Sequence, residues 1–459
     1  MASTYLTRTN STGGNRQVFT FSAWVKRGTL PGSTQYLFDA GTSTSTDSGR
    51  FSIYFNSANQ FGCAGGATTY KESSANYRDL SAWYHLVVAV DSTQGTAGNR
   101  VRLYVNGSEV TNFQNNNSMA LNQNTPCNEN AKNHDIGRNQ YGNSNFFDGC
   151  FAHIHFTDGT QYAASAFGET DATTGIWKPK VSPSVTYGTN GFFLKFASSG
   201  SMGTDSSGNG NNFTVGAGNL TQTQDTPSNV FPTINALCRT NTNHVLSNGN
   251  LTHQVTSAWL YLPANMGVSS GKWYAEMKIN AVTNNFNCGV MELSGFASDW
   301  MNNMNTANTV FGANTQGDAW ALFGNGSDTG TYKNNNTPNF GSISTSFGSN
   351  ILVGDIINIA LDCDNQKIWF GVNGSWDNSG DPVAGTNPMP YNTAMIAGRT
   401  YTFASGPEYA TQSWNFGNGY FGTTAVSSAN SDGDGIGLFE YAVPSGYYAL
   451  CTKNINTYG

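Results

Sequence analysis

The stretch FGETDATTGIWKPK, residues 167–180, sets Glu169, Asp171 and Thr174 at the spacing E-x-D-x-x-T. Retaining glycoside hydrolysis needs two carboxyl groups about 5 Å apart, one as nucleophile and one as acid/base. An acid at position 174 would complete that set, and threonine cannot. Gly168, Asp171, Thr173, Thr174 and Gly175 read as a turn, so the segment is expected to be a loop anchored by Phe167 and Trp177. His153 and His155 form H-x-H in AHIHF, which puts both imidazoles on one strand face as two ligands of a metal site still short of a third. No strand-turn-helix G-x-S-x-G elbow offers a nucleophilic serine. No catalytic residue is expected.

Two loops have the oxygen-rich spacing that suits a hard cation. In NSDGDGIGLFEY, Asn430, Asp432, Asp434 and Gly435 fall at the first, third, fifth and sixth positions of a calcium loop. The bidentate acid belongs at position 441, which is Tyr441, with Glu440 one place early. In DSSGNGN, Asp205, Ser207, Asn209 and Gly210 repeat the start with weaker ligands. Ca²⁺ is the one cofactor these residues suggest, and Gly-Asp-Gly equally serves a tight β turn. Sugar binding would need an aromatic platform among Asn, Asp and Gly. Trp376 in NGSWDNSG, Trp300 in SDWMNN and Tyr332 in GTYKNNN are the expected platforms, whereas Trp320 alternates with Leu322 and belongs in a core.

The elements that must position these residues are strands. The chain has 459 residues, 53 of them Gly, with 13% aromatic and only 11% charged residues and a formal net charge of −7. Scattered Lys and Arg exclude a phosphate-binding surface, so nucleic acid is not an expected partner. No apolar run is long enough to cross a bilayer. MASTYLTRTNSTGG has no apolar signal core. Seven cysteines form no CxxC and leave an odd count, which suits free thiols in a reducing compartment.

Short apolar runs separated by Gly/Asn/Ser turns fill the first half: VFTFSAWVKR (18–27), YLFDAG (36–41), RFSIYFN (50–56), WYHLVVAVDS (83–92), RVRLYVNG (100–107), GCFAHIHF (149–156) and GFFLKF (191–196). Phe19, Phe21, Ala23 and Val25 alternate with Thr20, Ser22 and Trp24, the period of a strand with one face in a core. The polar stretch NLTQTQDTPSNVFPTIN reads as a connection. Strands then resume with KWYAEMKIN (272–280), NCGVME (287–292), AWALFG (319–324), DIINIALDCD (355–364), KIWFGVNG (367–374), SWNFG (413–417) and YYALC (447–451). WYHLVVAVDS…RVRLYVNG is echoed by DIINIALDCDNQKIWFGVNG, each closing on Val-Asn-Gly, a hairpin-turn signal. The expectation is an all-β chain: a sandwich over 1–218, a linker over 219–240 and a second sandwich over 241–459.

FTFSAWVKR, WYHLVVAVDS, RVRLYVNGSEV, HDIGR and FAHIHF resemble a laminin-G/pentraxin-like member of the concanavalin A-like lectin/glucanase superfamily. SSGKWYAEMKI, GDIINIALDCDNQKIWFGVNGSW and SWNFG resemble a SPRY domain. The joint order of FGETDATTGIWKPK, GTNGFFLKFASSGSMGTDSSGNGNNFTV, DTPSN and FEYAVPSGYYALCTKN resembles tail-fibre-like and other virion proteins of bacteriophages. The resemblance implies two tandem concanavalin A-like β-sandwiches in a non-enzymatic virion protein, assembled in the host cytoplasm. Its partners would be other virion proteins and a host-surface glycan or protein, with no membrane insertion, and by analogy it would be a homo-oligomer such as a trimer. Attachment from a tail-associated position is the leading reading. Capsid decoration, or a fibre spacer without receptor contact, is the second, and a glycan depolymerase is the third.

Overall fold

The computed structural model describes residues 3–42, 44–239, 242–257, 260–293, 319–327, 329–334, 346–389 and 395–459. The chain divides into two compact units, Met1–Gln222 and Thr223–Gly459.

In the first unit, strands β1 (Tyr5–Thr9), β2 (Val18–Arg27), β3 (Gln35–Gly41), β4 (Arg50–Phe55), β5 (Gln60–Gly65) and β6 (Thr69–Asn76) come first. They are followed by β7 (Trp83–Asp91), β8 (Val101–Val105), β9 (Ser108–Glu109), β10 (Phe113–Asn116) and β11 (Asn133–Ile136). The last are β12 (Gly149–Asp158), β13 (Gly168–Thr170), β14 (Trp177–Pro179), β15 (Phe192–Leu194) and β16 (Thr214–Ala217). An eight-stranded sheet runs β10-β6-β5-β4-β3-β11-β1-β16, and a six-stranded sheet runs β15-β12-β2-β7-β8-β9. Phe19, Phe21, Phe38, Phe51, Ile53 and Phe156 interleave in the core of this unit at 0–1% exposure. Packed aromatic side chains are the main apolar burial available to a chain this rich in Asn, Ser and Gly.

Strand β2 departs from its expected half-burial: both faces are covered. Its outer residues lie under the segment after β12. The Thr20 hydroxyl donates to the Thr160 carbonyl at 2.8 Å and accepts from the Tyr162 amide at 2.8 Å. The loop expected at 167–180 is a hairpin, since Gly168, Glu169 and Thr170 pair with Pro179, Lys178 and Trp177. Phe167 is buried as expected, and Trp177 is half-buried. The Trp177 ring needs glycines beneath it, because a Cβ on Gly168 would lie 2.5 Å from it and one on Gly107 3.0 Å.

The second unit begins earlier than expected. Residues 219–240 were read as a linker, yet Phe231 packs with Tyr274, Trp369, Phe439 and Tyr447, and the Ile234 amide donates to the Asn250 carbonyl at 2.9 Å. Its strands are β17 (His244–Ser247), β18 (Thr252–Val255), β19 (Leu262–Pro263), β20 (Lys272–Glu292), β21 (Ala319–Gly324), β22 (Thr329–Asn334) and β23 (Ser346–Asn350). Next come β24 (Ile356–Asp362), β25 (Lys367–Val372), β26 (Ser375–Trp376) and β27 (Tyr401–Asn415). The runs KWYAEMKIN and NCGVME, expected as two strands, are one bulged strand that pairs β24 with its first half and β21 with its second. Strand β27 follows β20 along most of its length, although only SWNFG carried a strand signal. All seven cysteines are free.

The Val-Asn-Gly echo is the same structure twice. Asn106 (φ +48°) and Gly107 (φ +86°) turn β8 into β9, as Asn373 (φ +51°) and Gly374 (φ +82°) turn β25 into β26. Two consecutive positive φ angles make the tight turn that matches strand twist. Asn106 Oδ1 accepts the His85 amide at 2.8 Å, and Asn373 Oδ1 accepts the Ile356 amide at 3.0 Å. Each glycine also carries an aromatic lid from later in its unit, Trp177 on Gly107 and Tyr441 on Gly374.

Candidate functional site

The eight-stranded sheet turns one face into the core and carries polar and aromatic residues on the other. Its register lines up Thr7 with Asp135, Asp135 with Asp39, Asp39 with Ser52 and Ser52 with Ala64 across five strands. One position along, Tyr36 pairs with Tyr54 and Tyr54 with Gly62. Two buried aspartates therefore stand side by side on neighbouring strands, where Cβ atoms are about 5 Å apart.

Both carboxylates are fully engaged by protein donors. Asp39 takes Arg50 Nε at 3.0 Å and Nη2 at 2.9 Å, together with the Gln140 amide at 2.8 Å. Asp135 takes the Thr7 hydroxyl at 2.6 Å and Arg138 Nε at 2.7 Å. Neither acid side chain has any exposure, so no substrate oxygen reaches them. Burial pushes Asp39 up to about 6 against the pull of Arg50. The pair holds the guanidinium groups of Arg50 and Arg138, whose side chains are only 10% and 13% exposed. Arg138 lies over the Tyr5 ring at 3.5 Å and Arg50 over the Tyr36 ring at 5.1 Å, both within reach of a cation–π contact. Arg138 Nη1 also donates to Asn143 Oδ1 at 2.6 Å, and Arg50 Nη2 to Asn139 Oδ1 at 3.0 Å. The result is two half-buried tyrosines, Tyr5 and Tyr36, each with a guanidinium group fixed against its ring. Motif reading missed it. The available signal was the Asp-x-x-Arg of HDIGR, and charges inside the strand runs YLFDAG and RFSIYF in a chain so poor in charge.

The opposite, six-stranded sheet also holds polar groups on its outer side. Trp177 Nε1 donates to His85 Nδ1 at 3.0 Å, so neutral His85 carries its proton on Nε2 and donates to the Ser22 hydroxyl at 2.8 Å. A serine base would need the reverse tautomer. Glu169 and Asp171 flank Lys178, at 4.0 and 2.7 Å. Lys178 and the amides of Thr174 and Thr173 hold Asp171 well below the usual carboxylate range, as the anchor of the hairpin turn. His153 and His155 are not a regular strand pair. The strand bulges between Ala152 and His155 and leaves His153 at φ +47°. Both rings flank Phe193, His155 Nδ1 meets the Tyr187 hydroxyl at 2.8 Å, and no third ligand joins them among the described residues.

The expected glycan and calcium residues are dispersed. Trp376 is half-buried, edge-on to Tyr274 at 6.4 Å, and packs against the second core instead of standing free. Trp300 lies outside the described residues, and Tyr332 falls in β22 with its side chain outside them. Asp205 accepts the amides of Phe193, Ser207 and Asn211, all at 2.8 Å, plus the Ser207 hydroxyl, while Asn209 donates to the Gly188 and Gly191 carbonyls. Asp432 accepts from the amides of Asp434, Ile436 and Ala449 and from Asn454 Nδ2, at 2.8–3.0 Å. Asn430 Nδ2 donates to the Glu440 carbonyl at 2.8 Å, Asp434 accepts the Tyr458 hydroxyl at 2.7 Å, and the Glu440 carboxylate is turned to Ser427. In both loops the carboxylate oxygens accept hydrogen bonds from backbone amides and from nearby side chains. Asp432→Ala is therefore expected to cost at least about 3 kcal/mol, because four donors lose their acceptor. Urea denaturation measures that loss, and calcium or EDTA is expected to leave the wild-type midpoint unmoved.

Residues 2–165 match the profile of Laminin_G_3, in the concanavalin A-like lectin/glucanases superfamily. No curated protein matches the chain. Among solved structures, the chain is similar to a native heptameric SAP-like pentraxin from Limulus polyphemus, at 16% identity over 35% of this chain and 72% of that one, TM-score 0.25. It is also similar to the SPRY domain of human HERC1, at 16% identity over 37% of this chain and 91% of that one, TM-score 0.25. A candidate carbohydrate binding protein from Bacteroides ovatus ATCC 8483 matches at 15% identity over 47% of this chain and 56% of that one, TM-score 0.32. With its two packed antiparallel sheets and this family match, the first unit is a concanavalin A-like β-sandwich in a nearly all-β chain.

Proposed function

We propose that the chain is a non-enzymatic, lectin-like adhesion protein whose first unit holds a host-surface glycan on the outer face of its eight-stranded sheet. The observation that carries this reading is the pair of guanidinium groups held over Tyr5 and Tyr36 by fully buried aspartates. Such a preformed surface binds without the entropic cost of ordering long side chains. The absence of catalysis is supported by the inaccessibility of Asp39 and Asp135 and by the tautomer of His85. The similarity of FGETDATTGIWKPK and FEYAVPSGYYALCTKN to phage virion segments supports a bacteriophage particle as the setting, with a tail-associated position.

Purified chain is expected to bind host cells and to compete with phage adsorption, and Tyr36→Ala to lose that binding with an unchanged melting temperature. Retained binding by this variant would sink the proposed face. Cryo-EM of the particle sorts a tail position from capsid decoration. Release of reducing sugar from host polysaccharide, lost in Asp39→Asn or Glu169→Gln, would establish a depolymerase instead.

A further inference from the structure

Lys178 and Lys272 each hold a carboxylate, Asp171 at 2.7 Å and Asp362 at 3.2 Å. Lys71 in β6 does not. It is 5% exposed and makes no ion pair among the described residues. Its Nζ donates instead to Oδ1 of Asn116 and lies 4.7 Å from the centre of the Phe113 ring. A buried ammonium with no acid beside it is costly, and a cation–π contact offsets only part of that cost.

Register sets this pair. Strands β6 and β10 run antiparallel, with Phe113 opposite Ser73 and Asn116 directly opposite Lys71. On its other side Lys71 stands opposite Cys63, a member of the first core. Directly opposed residues share a sheet face, so the lysine and the asparagine meet on the inner side. Strand β10 ends the eight-stranded sheet, and its sequence FQNN carries no charge. An uncharged edge strand is the part of a sheet that most readily peels or mispairs.

We propose that Lys71 and Asn116 become joined by an isopeptide bond, a side-chain amide that fastens the edge strand to its neighbour. The neutral amine attacks Cγ of Asn116. The Nζ–Cγ bond forms, the Cγ–Nδ2 bond breaks, and one amine proton passes to Nδ2, which leaves as ammonia. Nothing is oxidised or reduced, and the product no longer buries a charge. Opposed strands hold the two groups together, which removes most of the entropic part of the barrier. Burial pushes the Lys71 amine down, towards the neutral form that attacks, against the charges of Cys63 and Glu109. Glu109, in β9 of the other sheet, is thus within electrostatic reach and is assigned as the carrier of the proton. Asn116 is exposed, so the ammonia departs into solvent.

The intact full chain is expected to weigh about 17 Da less than its sequence mass, the mass of ammonia. Lys71→Arg and Asn116→Ala are each expected to restore the full mass. In a tryptic digest, tandem mass spectrometry should find one branched peptide joining residues 71 and 116, with cleavage after Lys71 lost. Glu109→Gln is expected to slow closure in freshly purified protein at least about tenfold. A wild-type chain that keeps its full mass after prolonged incubation overturns the proposal. So does a deficit that maps to an Asn-Gly pair, where succinimide formation loses the same ammonia. A Glu109→Gln chain that closes at the wild-type rate overturns the role given to Glu109.

Discussion

Alanine at Glu276 is expected to remove at least about 4 kcal/mol from the second unit, a large share of an ordinary domain's stability. Glu276 has no exposure. Its carboxylate accepts the amides of Glu440 and Tyr441, both at 2.9 Å, the Tyr274 hydroxyl at 3.0 Å and Asn415 Nδ2 at 3.1 Å. These donors come from β20, β27 and the 440–441 turn, so one side chain ties three parts of the chain. Losing it takes the acceptor from four donors, two of them in buried contacts. Burial nevertheless pushes the acid up to about 7. A raised folded-state value means that the folded state holds the proton more tightly, so this group's contribution is present below its unfolded value of 4.5 and is lost as the pH rises through 7. Glu276→Gln should then cost less than alanine and flatten the second unit's stability between pH 4.5 and 7. Urea titrations followed by tryptophan fluorescence measure both effects. An alanine variant with an unchanged midpoint would show that the four contacts carry no net stability.

Acid is expected to destabilise the first unit progressively as the pH falls below 6.5. All six histidines of the chain are shifted the same way, and burial is the largest cause in each. His85 and His134 are pushed down to about 3, and His155 is held well below 6.5. His134 shows why: its Nε2 accepts the Asn128 amide at 3.3 Å and its Nδ1 meets the Lys132 carbonyl, so a second proton would break the first bond. Each depressed histidine contributes stability that is full above 6.5 and lost as the pH falls toward the folded-state value. At pH 4.5, two units below 6.5, His85 and His134 each cost about 2.7 kcal/mol, together about 5, and His155 adds in the same direction. Asp39, raised to about 6, works in the opposite sense and returns about 2 kcal/mol at that pH. The net loss from these groups, about 3 kcal/mol before His155, is a substantial fraction of the stability of a domain. In the second unit His244, pushed to about 4, and His253 act likewise, while Glu276 offsets part of the loss. Hydrogen exchange after pH jumps, read by mass spectrometry, should show the first unit opening before the second. A first unit protected at pH 4 would contradict this.

Local pattern carried much of this protein. Alternation of Phe19, Phe21, Ala23 and Val25 identified an inner strand face, and Asn-Gly pairs located both tight turns, because side-chain period and positive-φ tolerance are properties of the residues themselves. The segment 167–180 was correctly read as anchored by Phe167 and Trp177. Its flanks became strands because Trp177 had a histidine to reach on a sheet formed much earlier in the chain. The calcium-like loops show the limit from the other side. Spacing marked Asp432 as a loop acid, and only the fold shows that the Ala449 amide and Asn454, from later in the chain, reach its carboxylate.

Turn chemistry, the all-β class and most of the strongly apolar strands were therefore determined by the sequence alone, since each depends on neighbours a few residues away. Register was decided only by the tertiary structure. Nothing local says that Asp39 will stand beside Asp135, that β27 will follow β20 for most of its length, or that Lys71 will stand opposite Asn116. Those pairings arise when two sheets close over a common core, where a slip of one residue would turn every inner side chain outward.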